Sequence, residues 1–184
     1  PVTTPKQKIN QVKMFGGDQI EVVLSGDTFD EANAAAEATC QKEGKTFIPP
    51  FNDPKIIEGQ GTVGLEILQQ SSTAIDYIFV PIGGGGLISG VAFAIKSLNP
   101  NIKVYGVQAA GAPSMKNSVE NKHIERLDAV STIADGIAVK QPGENTFNLC
   151  SKYVDQIVTV TDDEVSSAIL TLLEKQKLIT EGAG

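Results

Sequence analysis

Four consecutive glycines, Gly83, Gly84, Gly85 and Gly86, stand between a short apolar run, Tyr77-Ile78-Phe79-Val80, and a stretch with helical spacing. In that stretch Leu87, Val91, Ala94, Ile95 and Leu98 recur at three- and four-residue steps, the period of one helix face. Residues without a Cβ let a backbone turn sharply and bring its N–H groups close to a ligand. A helix N-terminus adds unpaired N–H donors and a partial positive charge. Together they form a cup for a phosphate group. The cup needs no cation, and no lysine or arginine lies between Tyr77 and Ile95. A tight strand–helix turn that binds nothing is the competing reading of the same residues.

Two other phosphate motifs do not fit. A P-loop places Lys and Ser/Thr after its last glycine, whereas Gly86 is followed by Leu87-Ile88. A dinucleotide fingerprint needs a further glycine at Ile88 or Ser89 and an acidic residue about twenty positions on. The next strand-like run, Lys103-Val104-Tyr105-Gly106-Val107, ends instead in Gln108. The cup therefore suits a single phosphate ester better than a pyrophosphate.

The segment from Val80 to Gly90 resembles the phosphate-binding loop of the threonine dehydratases, members of the tryptophan-synthase-β-like group of pyridoxal 5'-phosphate (PLP) enzymes. Other segments resemble the same family in order and spacing. They are Pro1-Val2-Thr3-Thr4-Pro5-Lys6, Phe47-Ile48-Pro49-Pro50-Phe51-Asn52-Asp53-Pro54, Glu58 to Glu66, Ile133-Ala134-Asp135-Gly136-Ile137 and Ile179-Thr180-Glu181-Gly182-Ala183-Gly184. The resemblance implies a PLP fold type II, an α/β architecture with a parallel sheet and flanking helices, here incomplete. It implies part of a small N-terminal domain over residues 1–45 and part of a large cofactor domain over 46–184.

The same resemblance implies site residues. Gly83, Gly84, Gly85, Gly86 and Leu87 would hold the cofactor phosphate through backbone N–H groups. Gly136 would be a backbone neighbour of the cofactor ring, and Glu181 a catalytic carboxylate near ring and substrate. A surface charge is the competing reading for Glu181. The implied reaction converts L-threonine to 2-oxobutanoate and ammonia. A serine racemase or serine dehydratase of the same fold is the nearest alternative. Serine racemases commonly carry a glutamate and an aspartate at a metal site where this chain has Gln108 and Ser114, so no metal is expected. The family's cofactor-bonding lysine motif and its Ser-Gly-Gly-Asn-type segment do not occur in the chain. An internal fragment of a homo-oligomeric enzyme is therefore expected, and a non-catalytic ligand-binding or assembly piece is the alternative.

Composition narrows the partners. The formal charge of −7 argues against nucleic acid, whose binding relies on neutralising phosphates. No run of about eighteen uncharged apolar residues is present, so no membrane partner is expected, and a cytoplasmic location follows. Cys40 and Cys150 form no C-x-x-C pair and are expected as buried thiols. His123, the single histidine, lies in a polar stretch and is expected on the surface.

The elements that must position the cup alternate between strand and helix, which implies a parallel sheet. Helices are expected over 4–15, from Asp27 or Thr28 to 43, and over 53–70, 87–98, 112–120, 145–153 and 161–176. Strands are expected over 20–24, 46–48, 77–80, 103–107 and 156–160. Residues 121–143 are expected to be irregular. Thr161 followed by Glu164 fits a capping box. Mixed with PLP and L-threonine, the 184-residue chain is predicted to give no sustained release of 2-oxobutanoate. Robust turnover by the pure chain in a coupled assay would refute this.

Overall fold

Side-chain caps set three of the seven α-helix starts, at Thr28, Asp53 and Thr161. The computed structural model describes residues 1–184, which divide into two units, Pro1–Ile48 and Pro49–Gly184. In the first, α1 spans Lys6–Gly16 and α2 spans Phe29–Glu43. The Thr28 hydroxyl accepts from the N–H of Glu31, whose carboxylate accepts from the N–H of Thr28. Gly44 ends the helix in the left-handed region at φ 66°. Residues 20–24 and 46–48, expected as strands, are not strands. Neither run has a neighbour to complete a ladder, and extended backbone without one leaves its N–H and C=O groups to water. Val23 and Ile48 are correspondingly exposed.

The second unit carries three parallel strands, β1 (Tyr77–Pro81), β2 (Lys103–Ala109) and β3 (Gln156–Val160), in the order β1-β2-β3. Phe79 pairs with Tyr105, which pairs with Gln156. The helices are α3 (Pro54–Gln70), α4 (Gly86–Leu98), α5 (Ser114–Asn121), α6 (Glu144–Tyr153) and α7 (Asp162–Thr171). α7 continues into a π turn over Leu172–Gln176, so the expected single helix to 176 is split. The irregular stretch contains one short 3-10 turn, Asp135–Ile137.

Alternation along the strands defines the core. Ile78, Val80 and Val104 point to one face and pack with Ile88, Val91 and Ile95 of α4, Met115 of α5 and Cys150 of α6. On the other face Phe79 stacks on Tyr105, with ring centroids 5.3 Å apart. Asp53 caps α3 by accepting from the Lys55 N–H at 2.8 Å. α3 then lies backbone-to-backbone against α4. A Cβ on Gly90 would meet the Ile57 carbonyl and the N of Gly61, so only glycine permits this approach. Gly64 makes a similar approach to Val91. Packing thus accounts for Gly64 of α3, an interior glycine that costs about 1 kcal/mol of helix propensity, whereas a Cβ on Gly61 would make only ordinary contact with the Gly90 carbonyl oxygen at 3.4 Å.

Asp155 fastens the far end of the sheet. Its carboxylate accepts from Lys96 at 2.6 Å, Lys103 at 3.0 Å and the Val104 N–H at 2.8 Å. Burial works to raise its pKa, but Lys96, Val104 and Lys103 together hold it below the ordinary carboxylate value. A lowered carboxylate pKa stabilises the fold above the unfolded-state value, and that contribution is lost as pH falls through the folded-state value. Asp155→Ala is predicted to cost about 1.5–3 kcal/mol at neutral pH, the scale of a charge-assisted hydrogen bond. In urea unfolding, the deficit relative to wild type should shrink steadily from pH 5 downward. An unchanging deficit would contradict the assigned role.

Candidate functional site

β1 delivers the chain to the glycine loop at the carboxyl end of the sheet, the edge where open α/β sheets bind ligands. The Ile82 N–H still bonds the Val107 carbonyl at 2.8 Å, and then pairing stops. The main-chain N–H groups of Gly83, Gly84, Gly85, Gly86, Leu87 and Ile88 have no hydrogen-bond acceptor within the chain. Gly84, Gly85, Gly86 and Ile88 are nevertheless buried. Gly85 takes φ 94°, a left-handed value that turns the strand into α4 and that L side chains adopt only under strain. Phe51 packs across Gly84 and Gly86. Consecutive donors at a helix N-terminus, without acceptors in the chain, are the kind of arrangement that suits an anion.

Two further segments come to this loop. The strap Ala134–Val139 runs beside it: a Cβ on Gly83 would lie 3.0 Å from the Ile137 Cα and 3.5 Å from the Gly136 carbonyl oxygen. On its other side is the C-terminal segment. A Cβ on Gly136 would lie 3.1 Å from the Ala183 Cβ and 3.6 Å from Oε1 of Glu181. The glycine loop, Gly136 and Glu181, far apart in sequence, are therefore successive neighbours in space.

The strap is held at both ends. Asp162 accepts from the Thr132 hydroxyl at 2.6 Å and from the Ile133 N–H at 3.2 Å, and the Ser114 hydroxyl donates to the Val139 carbonyl at 2.9 Å. Beside it is a cavity of about 300 Å³ whose lining includes Pro81, Val107, Ile137, Val160, Thr180 and Glu181. The Thr180 hydroxyl is buried without a hydrogen-bond partner.

Sequence reasoning missed the supports behind the loop. Thr146, in the first turn of α6, donates its hydroxyl to the Gly84 carbonyl at 2.7 Å and accepts from the Gly143 N–H at 3.1 Å. Gln108 bridges the Ile82 carbonyl and the Lys116 N–H at 3.3 and 2.8 Å. Both side chains are fully buried. Asn52 accepts from the Asn145 N–H at 2.9 Å, tying the segment before α3 to α6. The spacing of Gly143 and Thr146 was the one visible signal, since a hydroxyl three residues into a helix can reach back to its start.

The remaining side chains with possible chemistry are spent elsewhere or exposed. Gln108 and Ser114, the positions weighed for a metal, are both engaged in hydrogen bonds within the protein. His123 is exposed as expected, near Glu125. Cys40 is only half-buried, a correction to its expected burial, because α2 has no core on which to pack. Cys150 is buried and faces the Ser89 hydroxyl at 3.7 Å. Burial pushes its thiol pKa up to about 12, against the opposing effect of Ser89. A thiol so raised stays protonated and unreactive at pH 8. Native chain treated with iodoacetamide at pH 8 is predicted to carry label at Cys40 and none at Cys150, read by peptide mass spectrometry. Equal labelling would contradict the burial.

Comparison with known proteins follows the same outline. A family model described as pyridoxal-phosphate dependent enzyme matches residues 1–184. L-threonine ammonia-lyase of Thermotoga maritima is 49% identical over the whole chain, which covers 45% of that relative. The biosynthetic L-threonine dehydratase IlvA of Halalkalibacterium halodurans is 46% identical, with 44% of its length covered. The chain thus spans less than half the length of these curated relatives. The solved structure of the processed form of threonine deaminase isoform 2 from Solanum lycopersicum superposes with a TM-score of 0.91 at 45% identity, covering all of this chain and 49% of that one. Maize serine racemase gives a TM-score of 0.90 at 34% identity, covering 98% of this chain and 54% of that one.

Proposed function

The chain belongs to the pyridoxal-phosphate dependent enzyme family, and from that premise we propose that its glycine loop holds the phosphate of pyridoxal 5'-phosphate in a threonine ammonia-lyase. The activity is proposed for the protein that carries this chain, since the matched relatives are more than twice as long. The observation that carries the reading is the row of partnerless N–H groups from Gly83 to Ile88 at the start of α4. A phosphate monoester satisfies such donors and gains from the positive end of the helix. The Thr180 hydroxyl, buried without a partner, is a further donor available at the same edge of the sheet.

PLP, when bound, acts as an electron sink for the bond breaking at the amino-acid α-carbon. The chain's own residues supply position and electrostatics. Gly83, Gly84, Gly85, Gly86 and Leu87 anchor the phosphate and so fix where the ring lies. Gly136, with no side chain, leaves the strap free to lie flat beside the ring. Glu181 places a carboxylate next to Gly136, where it orients the ring and the substrate's amino group. The substrate is an amino acid with a β-hydroxyl, and L-threonine is favoured because the curated relatives named above are threonine enzymes at 46–49% identity. A homo-oligomeric assembly and a cytoplasmic location are part of the same proposal. No helix of the chain is long and apolar enough to cross a membrane.

The test is chemical. The protein carrying this chain, supplied with PLP, should convert L-threonine to 2-oxobutanoate with equimolar ammonia. Glu181→Gln should lower kcat by about 100-fold, the scale of a lost orienting contact, while bound cofactor, measured by its visible absorbance, stays within twofold. Net conversion of L-serine to D-serine without 2-oxo acid would replace the threonine reading with the racemase one. Absence of any PLP binding would remove both.

A further inference from the structure

Gln108 and Thr146 share an arrangement that the proposed site does not yet use. Each is fully buried behind the glycine loop, and each donates to a loop carbonyl, Gln108 to Ile82 and Thr146 to Gly84. The amide of Gln108 has one possible orientation. Its Oε1 accepts from the Lys116 N–H at 2.8 Å, so Nε2 is the group that faces the Ile82 oxygen, since a backbone N–H can only donate. Thr146 has one hydroxyl proton and two nearby carbonyls. The Gly84 oxygen at 2.7 Å is nearer than the Gly143 oxygen at 3.1 Å, and the Gly143 N–H fills an acceptor lobe at 3.1 Å.

The chain has no cis peptide bond. In a planar trans peptide the C=O and the following N–H point in opposite directions. A grip on the Ile82 carbonyl therefore sets the direction of the Gly83 N–H. A grip on the Gly84 carbonyl does the same for the Gly85 N–H. Both N–H groups are turned away from the buried side chains, and both are without an acceptor in the chain. The loop needs such fixing because glycine peptides otherwise rotate freely, and donors that must reorient on binding lose affinity to that ordering.

We propose that Gln108 and Thr146 are positioning residues that aim the Gly83 and Gly85 N–H groups at the bound phosphate, an inference that rests on the phosphate reading of the loop. Each sets one donor: Gln108 works through the peptide 82–83 and Thr146 through the peptide 84–85. Gln108 also joins the loop to the first turn of α5, and Thr146 joins it to the first turn of α6. The loop is thereby fixed to two helices besides the one it begins.

The test uses the 15N-labelled chain titrated at pH 7.5 with pyridoxal 5'-phosphate and, separately, with inorganic phosphate. Backbone amide shifts are followed residue by residue. In wild type the Gly83 and Gly85 amides should shift with both probes. Thr146→Val should weaken binding by about tenfold, the scale of one hydrogen bond, and abolish the shift chiefly at Gly85. Gln108→Met should do the same chiefly at Gly83. Thr146→Ser, which keeps the hydroxyl, should bind within threefold of wild type. A general loosening of the fold would blunt both amides equally in both variants and overturn the proposal. Variants that bind like wild type with unchanged amide shifts would overturn it while leaving the phosphate site standing. A wild-type loop silent to both probes would end the phosphate reading and this inference together. Should one apolar variant lose the dispersed spectrum of the folded chain, the other decides alone on its own amide.

Discussion

Buried backbone donors without acceptors are the constraint around which this chain is arranged. Leaving an N–H group unpaired away from water costs about as much as a lost hydrogen bond, and here unpaired groups run from Gly83 to Ile88, with Gly84, Gly85, Gly86 and Ile88 buried and Gly83 and Leu87 half-buried. The rest of the second unit holds that run in place. β1 and β2 stop pairing just before it, at Ile82. α4 cannot slide, because Gly90 seats its backbone directly on α3 and Ile88, Val91 and Ile95 fill the core on its other side. A loop of four glycines is the most flexible sequence a chain can offer, and it is made rigid here by its surroundings.

The neighbourhood of the loop follows from topology. Parallel strands bring their carboxyl ends to one edge, so the segments that follow β1, β2 and β3 gather there. After β1 comes the glycine loop. After β2 comes the chain that leads to Ser114, and after β3 comes Asp162. Ser114 and Asp162 grip opposite ends of the strap that carries Gly136, and the C-terminal segment brings Glu181 against the strap. In the proposed site a ligand phosphate would supply the acceptors that the loop lacks, with the carboxylate and the strap beside it.

Much of this was legible before any coordinates. The glycine run, the helical period after it and the alternating elements were enough to place a glycine loop at a helix start on a parallel α/β sheet. Helix starts at Asp53 and Thr161 were readable, and that of α2 was narrowed to Asp27 or Thr28, because capping is a local hydrogen bond between residues two or three apart. The strands expected at 20–24 and 46–48 were not there. β-branched and apolar runs report a preference for extension, whereas a strand exists only where a partner completes the ladder. Gln108 and Thr146 were illegible as supports for the same reason: their partners, Ile82 and Gly84, lie 26 and 62 residues away.

What the residues alone determined was the chemistry of the donor set: glycines at a helix start, with no cation among them. Only the folded chain decided which way those donors face, that Gly136 stands beside the loop with Glu181 on its other side, and that Gln108 and Thr146 bond the carbonyls of Ile82 and Gly84. Peptide orientation is set by the hydrogen bonds each carbonyl finds in three dimensions. A glycine imposes no preference of its own, so the part of the site most evident in the sequence was also the part whose geometry the sequence could least specify.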